Sequence, residues 1–235
     1  MNVHRIRAIT LDLDDTLWEI APVIRRAESE LWQWLQINYP RIVEKWSADE
    51  IVRVRMDLAD ELPDKAHDFR FLRKTVLKRI AVNSGYSEDL VEPAFDVFDA
   101  ARNRVELFPE VLAELSWLTG HFRLVAITNG NANLQTIGIA HYFDDIVTSV
   151  EVGIAKPARP IFDEAINRAG VEPHETLHVG DHPESDILGA HNAGMRTGWI
   201  NRTQATWPDH LQSPDIACDS MSGIRQLLEP AVRER

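Results

Sequence analysis

The stretch RAITLDLDDTLWE, residues 7–19, constrains this chain more than any other part of it. It begins as a continuous apolar and β-branched run, whereas a strand with one wet face would alternate apolar with polar residues. Such a run predicts a strand buried on both faces, of the kind found in parallel sheets covered by helices. It then ends in three carboxylates within four positions, Asp12, Asp14 and Asp15. Open α/β sheets place their ligands at the carboxyl ends of central strands, so this charge is expected to mark a site.

The rest of the chain supplies the sheet. Residues 20–104 carry only helical periodicity: Ile24, Ala27, Leu31 and Leu35 fall on one stripe, Ser47 to Glu50 has the spacing of a capping box, and Gly85 closes a helix over 69–82. From 109 onward, short apolar runs at 124–127, 146–150, 176–179 and 196–200 alternate with helical text ending at Gly170 and Gly194. This alternation is the βαβ signature of a parallel sheet. The expected fold is α/β, a doubly wound parallel-sheet core (1–17 and 106–235) interrupted after its first strand by a helical bundle (18–105).

Composition narrows the partners. A chain of 235 residues with 44% hydrophobic content can bury a sizeable core. A formal net charge of −12 argues against nucleic acid and anionic membrane, both of which need a basic patch. A phosphorylated substrate would then need local compensation by a metal or a lysine. The single cysteine, Cys218, excludes an internal disulfide and fits a reducing compartment. No apolar run approaches the ~20 residues needed to span a bilayer, and the N-terminus lacks a signal-peptide pattern, so the cytoplasm is the expected location. The sequence does not set the oligomeric state.

The later strands also end in chemistry. The run AITNG places Thr128 and Asn129 after the second strand, GIAKP places Lys156 after the third, and HVGDHPESD places Asp181 and Asp186 after the fourth. If these strands are neighbours, their ends bring together three or four carboxylates, a hydroxyl and an ammonium. Such a group suits a hard divalent cation, a phosphate dianion held on it, and a lysine that takes up the remaining charge.

Asp12-x-Asp14-x-Thr16, then Thr128, then Lys156, then Gly180-Asp181 with Asp186, in this order, resembles the four motifs of the haloacid dehalogenase superfamily. The helical insertion is similar to the bundle-type cap of its first subgroup. The resemblance implies Asp12 as a nucleophile that forms an aspartyl phosphate, and Asp14 as the acid and base that serves the leaving oxygen and then water. It implies Mg2+ held by Asp12, the Asp14 carbonyl and Asp181. Phosphate would be held by Thr128 and Lys156 with the backbone N–H groups of Asp15 and Asn129, and Thr16 and Asp186 would support these groups from behind.

The strings DLDDTLW, APVIRRAE and AITNGNA more narrowly resemble bacterial phosphatases acting on flavin mononucleotide and on 5-amino-6-(5-phospho-D-ribitylamino)uracil. On that likeness Trp18 is a candidate to stack on a substrate ring, with core packing an equal alternative. Arg70 is a candidate for substrate selection. Helical geometry lets Phe69 and Leu72 share a buried stripe while Arg70 and Arg73 share the other face, unless both arginines pair with nearby acids.

Other readings stay open. A phosphomutase would also retain Asp14. A phosphonate hydrolase would need an imine-forming lysine, and Lys65, Lys74 and Lys78 lie in the helical segment. A dehalogenase attacks carbon, needs no metal and on the family pattern lacks the second acid. A receiver-like signalling module shares the acidic and lysine groups but needs about half this length and no insertion. His178 and His182 are expected to be structural or supporting.

Overall fold

The computed structural model describes residues 5–234; the outer ends of the expected core, 1–4 and 235, lie outside them. The chain divides into two units, one of 1–19, 106–130 and 138–235 and the other of 20–105 and 131–137.

Six parallel strands build the first unit: β1 (Ala8–Leu11), β2 (Arg123–Thr128), β3 (Asp145–Thr148), β4 (Thr176–Gly180), β5 (Arg196–Ile200) and β6 (Ile216–Cys218), in the order β3-β2-β1-β4-β5-β6. Every residue of β1 and β4 is buried, so both faces of the central sheet are covered. Ala8, Val125, Ile127 and Val147 pack with Ile161, Phe162 and Ala165 of a helix at Arg159–Ala169. A second helix, Met221–Arg233, buries Met221, Ile224, Leu228 and Ala231, and Ile224 approaches so close to Gly198 that a Cβ there would lie 3.1 Å from it. This is the doubly wound parallel sheet expected from the sequence.

Register sets the position of the site. Leu11 of β1 lies level with Ala126 of β2 and Val179 of β4, so Asp12, Thr128 and Asp181 leave the sheet along one edge. Two details depart from expectation. The strand read as 146–150 stops at Thr148, because its hydroxyl accepts from the Glu151 N–H at 3.2 Å and starts a helical turn. The three-residue edge strand β6 was not anticipated.

The second unit is helical, with α1 (Ile20–Asn38), α2 (Pro40–Lys45), α3 (Ala48–Glu61), α4 (Phe69–Asn83) and α5 (Val91–Arg102). Ala27, Leu31 and Leu35 of α1 share one apolar cluster with Leu72, Val76 and Ile80 of α4 and Phe95 and Phe98 of α5. The Ser47–Glu50 capping box forms in both directions, and Gly85 adopts φ 73° past the end of α4, a left-handed position that glycine takes without a Cβ penalty.

The expected faces of α4 need correction. Phe69 is 49% exposed, while Arg73 is buried. The Arg73 guanidinium makes two hydrogen bonds to Glu28, at 3.1 and 2.8 Å, and lies 3.3 Å over the Phe98 ring. A paired guanidinium on an aromatic face can be buried where an isolated one cannot. Arg70, half-exposed, lies over the Phe95 ring and 3.6 Å from Asp99, so the two arginines do not share one exposed face. Among the described residues no helix is long and apolar enough to cross a membrane.

Candidate active site

The chain turns sharply after β1. Asp12 continues the sheet, donating its N–H to the Val179 carbonyl at 2.9 Å. Asp15 then takes φ 62°, a left-handed conformation that Asp tolerates better than most residues. The turn consumes the Asp15 N–H, which donates to the Trp18 carbonyl at 2.8 Å. The expectation that this N–H serves a phosphate is therefore corrected.

Lys156 is the hub of the site. Its Nζ lies 2.6 Å from Asp12 Oδ1, 2.6 Å from Asp186 Oδ1 and 3.2 Å from the Ile127 carbonyl, all in a buried setting. Asn129 fixes the lysine's backbone from both sides: its Nδ2 donates to the Lys156 carbonyl at 3.0 Å, and the Lys156 N–H donates to its Oδ1 at 2.7 Å. The other oxygen of Asp12 accepts from the Thr16 hydroxyl at 3.0 Å. The Thr128 hydroxyl accepts from the Gly130 N–H at 2.9 Å, which leaves its own hydrogen for an acceptor outside the loop.

Asp186 comes from the turn Pro183–Leu188, and both its oxygens are engaged. Oδ2 accepts from the His182 N–H at 2.9 Å, and Oδ1 lies 3.3 Å from His178 Nε2 as well as beside the lysine. His178 in turn meets the Thr10 hydroxyl through Nδ1 at 2.8 Å. The tautomer protonated at Nε2 satisfies both contacts. Gly180 is what allows this approach, since a Cβ there would sit 2.4 Å from Asp186 Cγ. Asp181 is steadied through its main chain, whose carbonyl accepts from the Trp199 indole at 2.7 Å.

The electrostatics follow from crowding. Ligand oxygens of Asp12, Asp181 and Asp186 all lie within 4.8 Å of one another, with the Lys156 ammonium between Asp12 and Asp186. Burial pushes Asp12 up to about 7, helped by the charges of Asp186 and Asp14 and opposed by Lys156. Burial pushes Asp181 up to about 8, with Asp186, Asp12 and Asp15 adding to it. Burial acts on Asp186 too, but Lys156 and His178 outweigh it and hold that carboxyl below the usual range. Burial likewise acts to lower Lys156, and its two carboxylates outweigh that and hold it charged. Three acids around one ammonium form a donor set suited to a hard divalent cation with oxygen ligands. Asp12 and Asp181 have the capacity to hold one.

The structure thus gathers Asp12, Thr16, Thr128, Asn129, Lys156, Asp181 and Asp186 at one edge of the sheet. Asp14 lies on the same turn, with Oδ1 accepting from the Trp18 indole at 2.9 Å. Trp18 needs correction as a stacking platform: its ring is fully buried and its N–H is committed to Asp14. Arg70 stands in the helical unit with the partners given above. Sequence reading missed Trp199 and Arg202, although both stand at or just past the end of β5, where the strand-end argument would have looked.

A family model for haloacid dehalogenase-like hydrolases matches residues 6–194. The chain is 29% identical to the 5-amino-6-(5-phospho-D-ribitylamino)uracil phosphatase YigB of Escherichia coli (strain K12), over 95% of this chain and 97% of that protein. It is 31% identical to a glyceraldehyde 3-phosphate phosphatase of Methanopyrus kandleri, over 97% and 98%. Among solved structures, a 2-haloacid dehalogenase from Pseudomonas syringae pv. Tomato DC3000 superposes with a TM-score of 0.89 at 38% identity, covering 96% of this chain and 99% of that one.

Proposed function

The chain belongs to the haloacid dehalogenase-like hydrolase family, and on that premise we propose that it is a Mg2+-dependent phosphatase of a small phosphorylated metabolite, working through an aspartyl phosphate on Asp12. The observation that carries this reading is the gathering of Asp12, Asp181 and Asp186, with ligand oxygens within 4.8 Å of one another, beside a lysine ammonium that pairs with Asp12 and Asp186. A carboxylate that attacks carbon has no use for that surplus of negative charge. One that attacks a phosphate dianion does, because the surplus retains a cation that offsets the repulsion.

Asp12 and Asp181 would hold the ion with the Asp14 carbonyl, since both oxygens of Asp186 are taken. Mg2+, when bound, supplies positive charge to the phosphoryl oxygens. Asp12 attacks phosphorus in line, forming a carboxylate–phosphorus bond as the bond to the ester oxygen breaks. Lys156 opposes the burial that raises Asp12 and orients its carboxylate. Asp14 gives a proton to the ester oxygen and later takes one from the water that cleaves the intermediate. Trp18 fixes the orientation of the Asp14 carboxyl through Oδ1. The Thr128 hydroxyl and Lys156 hold the transferring oxygens.

Similarity to the Escherichia coli enzyme makes 5-amino-6-(5-phospho-D-ribitylamino)uracil the first substrate to assay, the resemblance of DLDDTLW, APVIRRAE and AITNGNA adds flavin mononucleotide, and the Methanopyrus kandleri relative adds glyceraldehyde 3-phosphate. Cytoplasmic location belongs to the same proposal. The second reading, a dehalogenase, draws support from the Pseudomonas syringae structure at 38% identity. One experiment separates them: phosphate release from a panel of metabolite phosphates with and without Mg2+, beside halide release from 2-chloropropionate. Mg2+-dependent phosphate release is expected; halide release without phosphate release would overturn the proposal.

A further inference from the structure

We propose that Arg202 is a positioning residue for the Asp12 loop, acting through the main chain of Thr16. Arg202 lies just past the end of β5 and is only 18% exposed. Its Nη2 donates to the Thr16 carbonyl at 2.9 Å and to Glu110 Oε1 at 2.8 Å. The guanidinium carbon lies 3.7 Å from the centroid of the Phe108 ring.

These contacts join the two places where the chain leaves and re-enters the sheet unit. Leaving, it passes through 16–19; returning, through 106–110. The two segments already touch: the Phe108 N–H donates to the Leu17 carbonyl at 3.0 Å, and Trp18 bridges to Leu107. Arg202 is the fixed cation beneath that pairing. Thr16 is the residue whose hydroxyl donates to Asp12 Oδ2. A brace on its carbonyl therefore fixes the peptide plane that aims this hydroxyl, and with it the rotamer of the reacting carboxylate. A planar, permanently charged guanidinium seated on an aromatic face suits such a brace, since less of its freedom is lost per bond formed. Asp12, Thr16 and Lys156 meet the substrate or each other directly; Arg202 touches none of the reacting atoms.

The proposal rests on Asp12 as the reacting carboxylate, so its test has two independent readouts. Arg202→Met keeps the stem that covers Phe108 and removes both hydrogen bonds. In steady-state hydrolysis of p-nitrophenyl phosphate with Mg2+, kcat is expected to fall about 10- to 100-fold, as for a misplaced reacting group, while KM stays within about threefold. By hydrogen exchange, the amides of Asp15, Leu17 and Phe108 are expected to open at least about tenfold faster, with β2 and β4 unchanged. Arg202→Lys should recover part of both, and Glu110→Gln should fall between. If the wild type hydrolyses no phosphate ester, the functional reading fails and the exchange pattern still decides the brace. Unchanged exchange over 13–18 in Arg202→Met would overturn it. So would a uniform rise across the whole unit, or a kcat within about twofold of wild type.

Discussion

Asp12 carries two demands that conflict: it must be buried enough to exclude water and ionised enough to attack. Burial raises it, Lys156 at 2.6 Å opposes that, and the balance leaves it at about 7. Asp12→Asn should abolish turnover while leaving the fold intact, because an amide neither attacks phosphorus nor binds a hard cation well. Circular dichroism beside a phosphate-release assay checks this, and retention of more than about a tenth of the activity would remove Asp12 as nucleophile. Asp14→Asn should cost about 10²- to 10⁴-fold on alkyl phosphates, and clearly less on p-nitrophenyl phosphate, whose leaving group needs no proton. Equal losses on both esters would exclude Asp14 as the proton donor. These residues were legible before any coordinates, because each stands at the end of an apolar strand. Lys156 and Asp12 lie 144 positions apart, yet parallel strands converge their ends. The direction of Trp18 was not legible, since a large aromatic beside a polar loop fits a platform and a buried donor equally well, and only the position of Asp14 Oδ1 decides.

Among elements, β4 and the turn after it set the site most tightly. Gly180 closes the strand where Asp186 folds back on it, and a Cβ would stand 2.4 Å from the Asp186 carboxyl carbon. That carboxyl cannot swing away cheaply, because Lys156, His178 and the His182 N–H hold it. Gly180→Ala should therefore cost about 1–3 kcal/mol by overpacking and lower kcat by releasing Lys156 from one of its two carboxylate partners. Urea denaturation and phosphate release measure the two effects; a variant as stable and as active as wild type would show that the turn relaxes freely. Elements with a strong local signal were readable, as in the continuous apolar runs of β1, β2 and β4 and the capped start of α3. The three residues of β6 are too few to show one. Strand β3 was read too long because Val147, Thr148 and Val150 are all β-branched, and only the Thr148 cap marks its end. The face of α4 was misread because the partner that buries Arg73, Glu28, lies 45 positions away on α1.

At the scale of the molecule, a chain of formal charge −12 concentrates part of its excess at one sheet edge, and pH dependence should report it. Asp181 is raised from 3.8 to about 8 and Asp12 from 3.8 to about 7, burial being the largest cause in both. A carboxyl group raised on folding contributes stability that is fully present below its unfolded value and is lost as pH rises through its folded value. In the metal-free protein this contribution therefore declines between about pH 4 and 8. His178, lowered by burial, runs the other way: its contribution is full above the ordinary histidine value and is lost as pH falls below it. The raw pH profile of Tm thus mixes opposing signs, and the increment on adding Mg2+ is the cleaner quantity. A cation that binds Asp12 and Asp181 must displace the protons that burial retains on them, so its affinity should rise from pH 6 to pH 8. The gain in Tm from a saturating excess over the EDTA-treated protein should follow the same order, because ligand stabilisation grows with concentration over Kd. Asp181→Asn should remove most of the gain at pH 8 while leaving the His178 effect in place. Calorimetric scans at the two pH values measure this directly. A gain that is equal at both, or larger at pH 6, would mean that the ion is not held by these two carboxylates.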